Sequence, residues 1–245
     1  MKGVILAGGL ATRLRPLTLV TNKHLLPIYN KPMIYYPLEA MRKAGIKEVL
    51  LTTSGDHAGD FATLLKGGEE FGLQISYTIQ QNAKGGIADA IGLAERFASG
   101  ESILVMLGDN IFNFDLGESV RQFESRGSGA MIFGVHKDTG SKQYGVIEID
   151  SSGKVISLEE KPEQPKSDIA QTGIYMYDTR VFEYIRKLMP SDRGELEVTD
   201  LNALYLKDRA LTCEIIDWWV DAGASFDELL AANNRVAQMV KEGKL

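Results

Sequence analysis

Val4-Ile5-Leu6-Ala7-Gly8-Gly9-Leu10-Ala11-Thr12-Arg13 opens the chain. The apolar run cut off by two glycines reads as a buried strand that ends in a loop. Two glycines let a backbone approach a ligand closely and turn its N–H groups toward phosphate, and Arg13 follows at a spacing suited to gripping phosphate oxygens in bidentate fashion. No Gly-Lys-Ser/Thr completes a phosphate loop, and no Gly-x-Gly-x-x-Gly marks a dinucleotide site. Taken alone, the segment fits an ordinary strand-to-loop turn with a solvated arginine equally well.

Outward from this strand the chain alternates. The periodicity predicts a helix over 34–44 stopped by Gly45, a strand over 49–53, a helix over 59–65 and a strand over 75–80. A helix over 87–97 and a strand over 103–107 follow. This rhythm predicts an α/β fold, Rossmann-like and doubly wound, with ligands at the carboxyl ends of the strands. The second half reads as short strands over 130–136, 145–149, 155–159 and 173–177, so the sheet is expected to be mixed, with a small β-rich extension. Helices over 180–188 and 199–207 and a strand over 211–216 return. Ser225-Phe226-Asp227-Glu228 opens the last helix as a capping box. With no repeat, low-complexity tract or linker, residues 1–245 are expected to form a single domain.

Lys and Arg number 27 against 33 Asp and Glu, a formal charge of −6 that argues against a nucleic-acid surface. The longest apolar runs are strand-length, so no membrane partner is expected, and no secretory leader is read at the start. A single cysteine, Cys213, rules out an internal disulfide and reads as a buried strand residue in a cytoplasmic protein. His24, His57 and His136 show no metal-ligand spacing, and no Ser-His-Asp arrangement is legible.

The chemistry-bearing residues lie in separated blocks. Lys23 stands in Thr21-Asn22-Lys23-His24-Leu25-Leu26-Pro27, where an isolated lysine would ordinarily be a solvated surface group. Asp109, in Gly108-Asp109-Asn110, sits beyond an apolar strand, at the sheet edge where ligands bind, and is either a hard oxygen ligand or an Asx turn. Asp221, in Trp219-Val220-Asp221-Ala222-Gly223, carries the same ambiguity in a glycine-containing turn. Lys161 precedes Pro162, which biases its backbone to be extended, with Glu160 beside it. Gln80 ends a strand, and its amide could pair with a donor and an acceptor on a pyrimidine edge.

Together these blocks resemble the sugar nucleotidyltransferase family, whose signature is Gly-Gly-x-x-x-Arg followed by a lysine before Leu-Leu-Pro. The likeness continues through Gly85-Gly86-Ile87-Ala88-Asp89-Ala90, Leu158-Glu159-Glu160-Lys161-Pro162 and Arg193-Gly194-Glu195-Leu196-Glu197. It is greatest for the members that act on dTTP and glucose-1-phosphate, in their short form. The resemblance implies Arg13 and Lys23 as catalytic cations on the leaving pyrophosphate. It implies that Leu6, Gly8, Gly9, Thr12, Gln80, Gly86 and Ile87 bind the nucleotide. Tyr144, Gly145, Glu160, Lys161, Tyr175 and Arg193 are implied around the sugar phosphate, and Asp109 with Asp221 around Mg2+. It also allows a homo-oligomer. A different base or sugar, such as UTP or an N-acetylated sugar phosphate, and a non-catalytic sugar-nucleotide sensor remain as alternatives.

Two departures stand out. Leu10-Ala11 replaces the usual Ser-Gly or Thr-Gly, and Gln81-Asn82-Ala83-Lys84 makes the base-side loop one residue longer. The chain stops soon after Arg235, so no helical extension of the kind that carries subunit contacts and a feedback site in longer relatives is expected.

Overall fold

The computed structural model describes residues 1–137 and 143–244. In chain order its strands and helices are β1 (Lys2–Ala7), β2 (Pro27–Ile28), β3 (Lys31–Pro32), α1 (Tyr35–Lys43), β4 (Glu48–Thr53), α2 (Ala58–Leu65), β5 (Gln74–Ile79), α3 (Gly86–Gly92), α4 (Glu95–Ala98) and β6 (Ile103–Leu107). They continue as β7 (Asn110–Phe112), α5 (Gly117–Arg126), β8 (Ala130–His136), β9 (Gly145–Ile149), β10 (Val155–Glu160), β11 (Ile169–Tyr177), α6 (Val181–Ile185), α7 (Val198–Lys207), β12 (Leu211–Ile215), β13 (Trp219–Asp221) and α8 (Phe226–Lys241).

β6, β1, β4 and β5 lie side by side and parallel, with β1 in the middle. Alternation along β1 sends Ile5 and Ala7 to one face, with Leu38 and Met41 of α1 and Phe61 of α2. Val4 and Leu6 go to the other face, with Ala90 and Ile91 of α3 and Phe182 of α6. Both faces are therefore covered, which is the condition for an apolar parallel strand. A smaller cluster (Ile28, Met33, Tyr36, Ile111, Val220, Val236) seats α8 against the β2–β3 hairpin and the β7–β13 pair.

β11 turns the sheet mixed. Its nine residues are all buried. Ile169 and Ala170 pair antiparallel with β9, whereas Ile174 to Tyr177 pair antiparallel with β6. The change of partner coincides with a register shift against β8 between Gln171 and Tyr175. Gly173 stands in that interval because nothing larger fits: a Cβ there would lie 2.5 Å from both Asn110 Oδ1 and Leu107 Cγ. The strand thus forks, and the gap between β9 and β6 opens at the edge where the parallel strands end.

Several expected elements shift. The helix over 87–97 is two pieces, α3 and α4, divided at Leu93–Ala94. The strand expected from 173 begins at Ile169. Asp221, expected in a turn, closes β13, which pairs antiparallel with β7. Ser225 accepts the Glu228 N–H at 3.1 Å, as a capping box requires, but the Glu228 carboxylate turns to Lys137 (3.0 Å) and leaves the box half made. Lys161, expected extended before Pro162, has φ of 44°, in the left-handed region. Its N–H still donates to the Tyr144 carbonyl (3.2 Å), so the strand ladder runs one bond past β10 before the chain turns, and Nζ comes within 3.1 Å of Glu160 Oε1.

Candidate active site

Two adjoining cavities lie at the carboxyl ends of β1, β5 and β6. The first, about 250 Å3, is lined by Leu6, Gly8, Gly9, Gln80, Gly86 and Ile87, with Lys23, Asp109 and Asp221 at its inner end. Thr12, expected with them, does not line it and lies exposed on a single helical turn over 12–14. The second, about 150 Å3, sits in the fork of β11 and is lined by Tyr144, Gly145, Glu160, Lys161, Tyr175 and Arg193, together with Arg13. Ile87, Leu107, Glu195 and Asp221 border both. A roomier cavity of about 400 Å3 near Glu39 and Phe112–Leu116 contains none of the candidate residues, so volume alone does not mark the site.

The glycine loop after β1 turns left-handed twice, at Gly9 (φ 90°) and Ala11 (φ 46°). Position 11 therefore demands a conformation that an L-residue adopts at a cost of about 1–2 kcal/mol. The Ala11 carbonyl accepts from Thr18 Oγ1 at 2.8 Å and from the Leu14 N–H at 3.2 Å, which holds the loop in that shape. Arg13 is exposed and makes no hydrogen bond or ion pair with the described residues.

Lys23 is carried by a helical turn over 23–25 that Asn22 organises. The Asn22 amide donates to the Ala7 carbonyl (3.2 Å), which ties this loop to the end of β1. Asn22 Oδ1 accepts from the His24 N–H at 3.0 Å and lies 2.7 Å from His24 Nδ1. Because that oxygen can only accept, Nδ1 carries the ring proton. Burial, and after it the Lys23 charge, push the His24 pKa down to about 3, so the ring is neutral at pH 7. Its place is structural: it packs where a Cβ on Gly108 would stand 2.7 Å from its Cδ2.

Lys23 Nζ is in direct contact with Asp109 Oδ2. Gly223 makes the approach possible, since a Cβ there would lie 2.8 Å from Nζ. Burial alone would lower the lysine pKa, but Asp109 and then Asp221 outweigh it and hold it above its ordinary value. Burial would raise Asp109, and the lysine charge reverses that, keeping it well below the usual carboxylate range. Asp221 is pushed the other way, first by burial and then by the charge of Asp109. One ammonium thus serves two carboxylates, Asp109 buried and Asp221 half-buried. That is a hard oxygen donor set with a charge deficit, the chemistry that suits Mg2+ completed by phosphate oxygens and water. No group of three or more His, Cys, Asp or Glu able to hold a metal comes together among the described residues.

Asn110, which the sequence reading did not single out, fixes this geometry. Its amide donates to Asp109 Oδ1 (3.1 Å), and its Oδ1 accepts from the Gly173 N–H (2.7 Å) and from Trp219 Nε1 (2.6 Å). One buried side chain joins the end of β6, the fork in β11 and the strand that carries Asp221.

In the second cavity Arg193 is closely surrounded by acids. Its Nη2 lies 2.8 Å from Glu197 Oε2, 3.3 Å from Glu160 Oε1 and 3.5 Å from Glu195 Oε2. Thr199 Oγ1 donates to Glu160 Oε2 at 2.5 Å. Glu160 is thereby clamped from two sides, and Arg193 stands as the holder of that clamp. Tyr144 and Tyr175 are both kept protonated, by burial first and then by Asp221 and by Glu160 respectively. Tyr144 also packs edge-on against Trp219, ring centres 5.2 Å apart.

The fold and the paired cavities define a nucleotide-handling α/β protein, and the chain belongs to the nucleotidyl transferase family, whose model matches residues 2–239. It is 42% identical to a glucose-1-phosphate thymidylyltransferase of Neisseria meningitidis, over 91% of this chain and 78% of that protein. The identity to the enzyme of the same name from Mycolicibacterium smegmatis is also 42%, over 96% of this chain and 82% of the relative. Among solved structures, a Bacillus anthracis protein described as a candidate glucose-1-phosphate thymidylyltransferase, in complex with sucrose, superposes with a TM-score of 0.91 at 44% identity. That match covers 96% of this chain and 94% of the other. A UDP-glucose pyrophosphorylase complexed with UDP-glucose shares the fold, with a TM-score of 0.84 at 22% identity over 97% and 98% of the two chains. No helix among the described residues is long and apolar enough to cross a membrane.

Proposed function

We propose that this chain transfers a thymidylyl group from dTTP to glucose-1-phosphate, forming dTDP-glucose and pyrophosphate, with Mg2+ held by Asp109 and Asp221. The observation that carries the proposal is that two cavities meet at Asp221, beside the Lys23–Asp109 pair, and the names of the relatives support the choice of substrates. The nucleotide takes the first cavity, with its base toward Gln80 and its phosphates along Gly8 and Gly9. The sugar phosphate takes the second, its hydroxyls against the clamped Glu160 and its phosphate toward Lys161.

A phosphate monoester has a second pKa of about 6, so the nucleophilic oxygen is already anionic at neutral pH and needs no general base. That accounts for a site of cations and carboxylates in which the one buried imidazole is neutral and structural. A glucose-1-phosphate oxygen attacks the α-phosphorus in line. The bond from that phosphorus to the oxygen bridging to the β-phosphate breaks, and its electron pair leaves with pyrophosphate. The obstacle is anion meeting anion, so the protein's part is positioning and charge stabilisation. Lys23 holds Asp109 in place and presents its charge to the nucleotide phosphates. Arg13, which lines the second cavity and pairs with none of the described residues, can close on phosphate. When bound, Mg2+ supplies the remaining positive charge on the phosphate oxygens.

Pyrophosphate release measured with dTTP, UTP, dCTP, ATP and GTP against several sugar-1-phosphates, with Mg2+ and with chelator, tests the reading. Highest kcat/KM with dTTP and glucose-1-phosphate, and loss of turnover in Asp109→Asn and Asp221→Asn with the fold intact, is expected. Preference for another base or sugar would reassign the substrates, and no turnover with any pair would reduce the protein to a sugar-nucleotide sensor.

A further inference from the structure

Gln80 lines the first cavity, and the two ends of its amide have different surroundings. Its Nε2 lies 2.8 Å from Asp89 Oδ2 and 3.2 Å from the Gly86 carbonyl oxygen. A carbonyl and a carboxylate accept hydrogen bonds and do not donate them, so the group between them must be the NH2. The opposite end, Oε1, points along the glycine loop: a Cβ at Gly8 would lie 2.9 Å from it. No donor among the described residues reaches Oε1, while Gln80 itself is 8% exposed and lines the cavity.

Asp89 stands behind this arrangement. It is absent from the cavity lining and sits under the loop that precedes α3, where a Cβ on Gly85 would lie 2.5 Å from its Cγ. The tight cover leaves the carboxylate little freedom to swing away from Gln80. A glutamine amide can otherwise rotate by half a turn and exchange donor for acceptor at almost no cost. With Asp89 fixed behind it, that rotation would set the Gln80 carbonyl oxygen against a carboxylate.

We propose that Asp89 is a positioning residue that locks the Gln80 amide with its oxygen toward the base, so that the site selects a pyrimidine edge bearing an N–H donor. The inference rests on the reading of the first cavity as the nucleotide site. Thymine and uracil present N3–H to such an acceptor. Cytosine presents a bare N3 lone pair, which meets Oε1 as acceptor against acceptor. The discrimination among bases is thus set by a side chain that touches no substrate.

The test is a comparison of kcat/KM for dTTP and dCTP, with glucose-1-phosphate and Mg2+, in the wild type, Asp89→Asn, Gln80→Ala and the double variant. An asparagine at 89 can donate or accept and so releases the lock. The dTTP-to-dCTP ratio is expected to fall on the order of tenfold to a hundredfold in Asp89→Asn, the worth of one misplaced hydrogen-bonding group. In the Gln80→Ala background the same change at 89 should leave the ratio unmoved. An equal loss with both nucleotides in Asp89→Asn would show a purely structural role and overturn the proposal. So would a further fall of the ratio in the absence of Gln80. If Asp89→Asn does not fold, Asp89→Ser, which removes the fixed acceptor without adding bulk, is read in the same way. A wild type that uses dCTP as well as dTTP would overturn the base-site reading itself, a result distinct from an unchanged ratio in a selective enzyme.

Discussion

Replacing Lys23 by methionine removes the one ammonium that buried Asp109 and half-buried Asp221 share. The side chains of Lys23 and Asp109 are 20% and 6% exposed, so little of their interaction is screened by water. Breaking a buried pair by deleting one partner costs about 3–5 kcal/mol. A second route gives a similar figure. The variant can relieve the carboxylates by taking up a proton, and holding one at pH 7 on a group with an unfolded pKa of about 3.9 costs about 4 kcal/mol at 1.36 kcal/mol per unit. The sign follows from burial and mutual repulsion, which already raise Asp221 and, without the lysine, would raise Asp109 too. A carboxyl whose folded pKa is raised gives stability that is present below the unfolded value and lost as pH rises. The penalty of Lys23→Met should therefore shrink to about 1.5 kcal/mol at pH 5. Urea unfolding followed by circular dichroism, in chelator and without nucleotide, at both pH values measures it. Adding Asp109→Asn to the lysine variant should recover at least half of the loss at pH 7, because no unpaired charge then stays buried. A penalty below about 1 kcal/mol at pH 7, or one that fails to shrink at pH 5, would refute the shared-charge argument.

Ala11→Gly should raise stability by about 0.5–1 kcal/mol, the relief of a left-handed alanine less the entropy glycine loses on folding, read as a higher urea midpoint at unchanged slope. Gly223→Ala would drive a Cβ into the Lys23–Asp109 contact. Turnover should drop by at least about tenfold through loss of an apposed charge, and the melting temperature should fall with it as the Lys23–Asp109 pair is forced apart. Cys213, expected buried, is half-buried in β12; its thiol, pushed up to about 12 by burial and then by Glu214, should be alkylated at pH 8 on the order of a thousandfold more slowly than a free thiol of pKa about 8.5, as mass spectrometry of timed quenches would record.

What the sequence made legible follows its local signals. Val4 to Ala7 ending on two glycines placed β1 and its loop, and the resemblance to the sugar nucleotidyltransferases picked out Lys23, Asp109 and Asp221, which line one cavity. Asn110 escaped notice because its importance lies in two long-range hydrogen bonds, to Gly173 and Trp219, and one asparagine after an aspartate carries no pattern that announces them. β7 and β13 have three residues each, too few to show a period of two. Lys161 went against the usual constraint before proline because its N–H is held by Tyr144, a partner invisible in the local string. Arg193 is implied only by resemblance, around the sugar phosphate; that Glu160 and Glu197 both reach it depends on the fold bringing Glu160 to the side where Glu197 stands.

The β7–β13 pairing has a consequence for how the protein becomes active. The ladder that sets Asp221 beside Asp109 is locked by a hydrogen bond between residues 109 positions apart. Contacts of such long sequence separation are slow to form, since the intervening chain must be gathered first. A nascent chain can complete β1, β4, β5 and β6 and bury much of its core while the second carboxylate is still unmade or unplaced. Recovery of turnover on refolding should accordingly lag behind recovery of helical signal, which makes catalysis the clock for the last strand to dock.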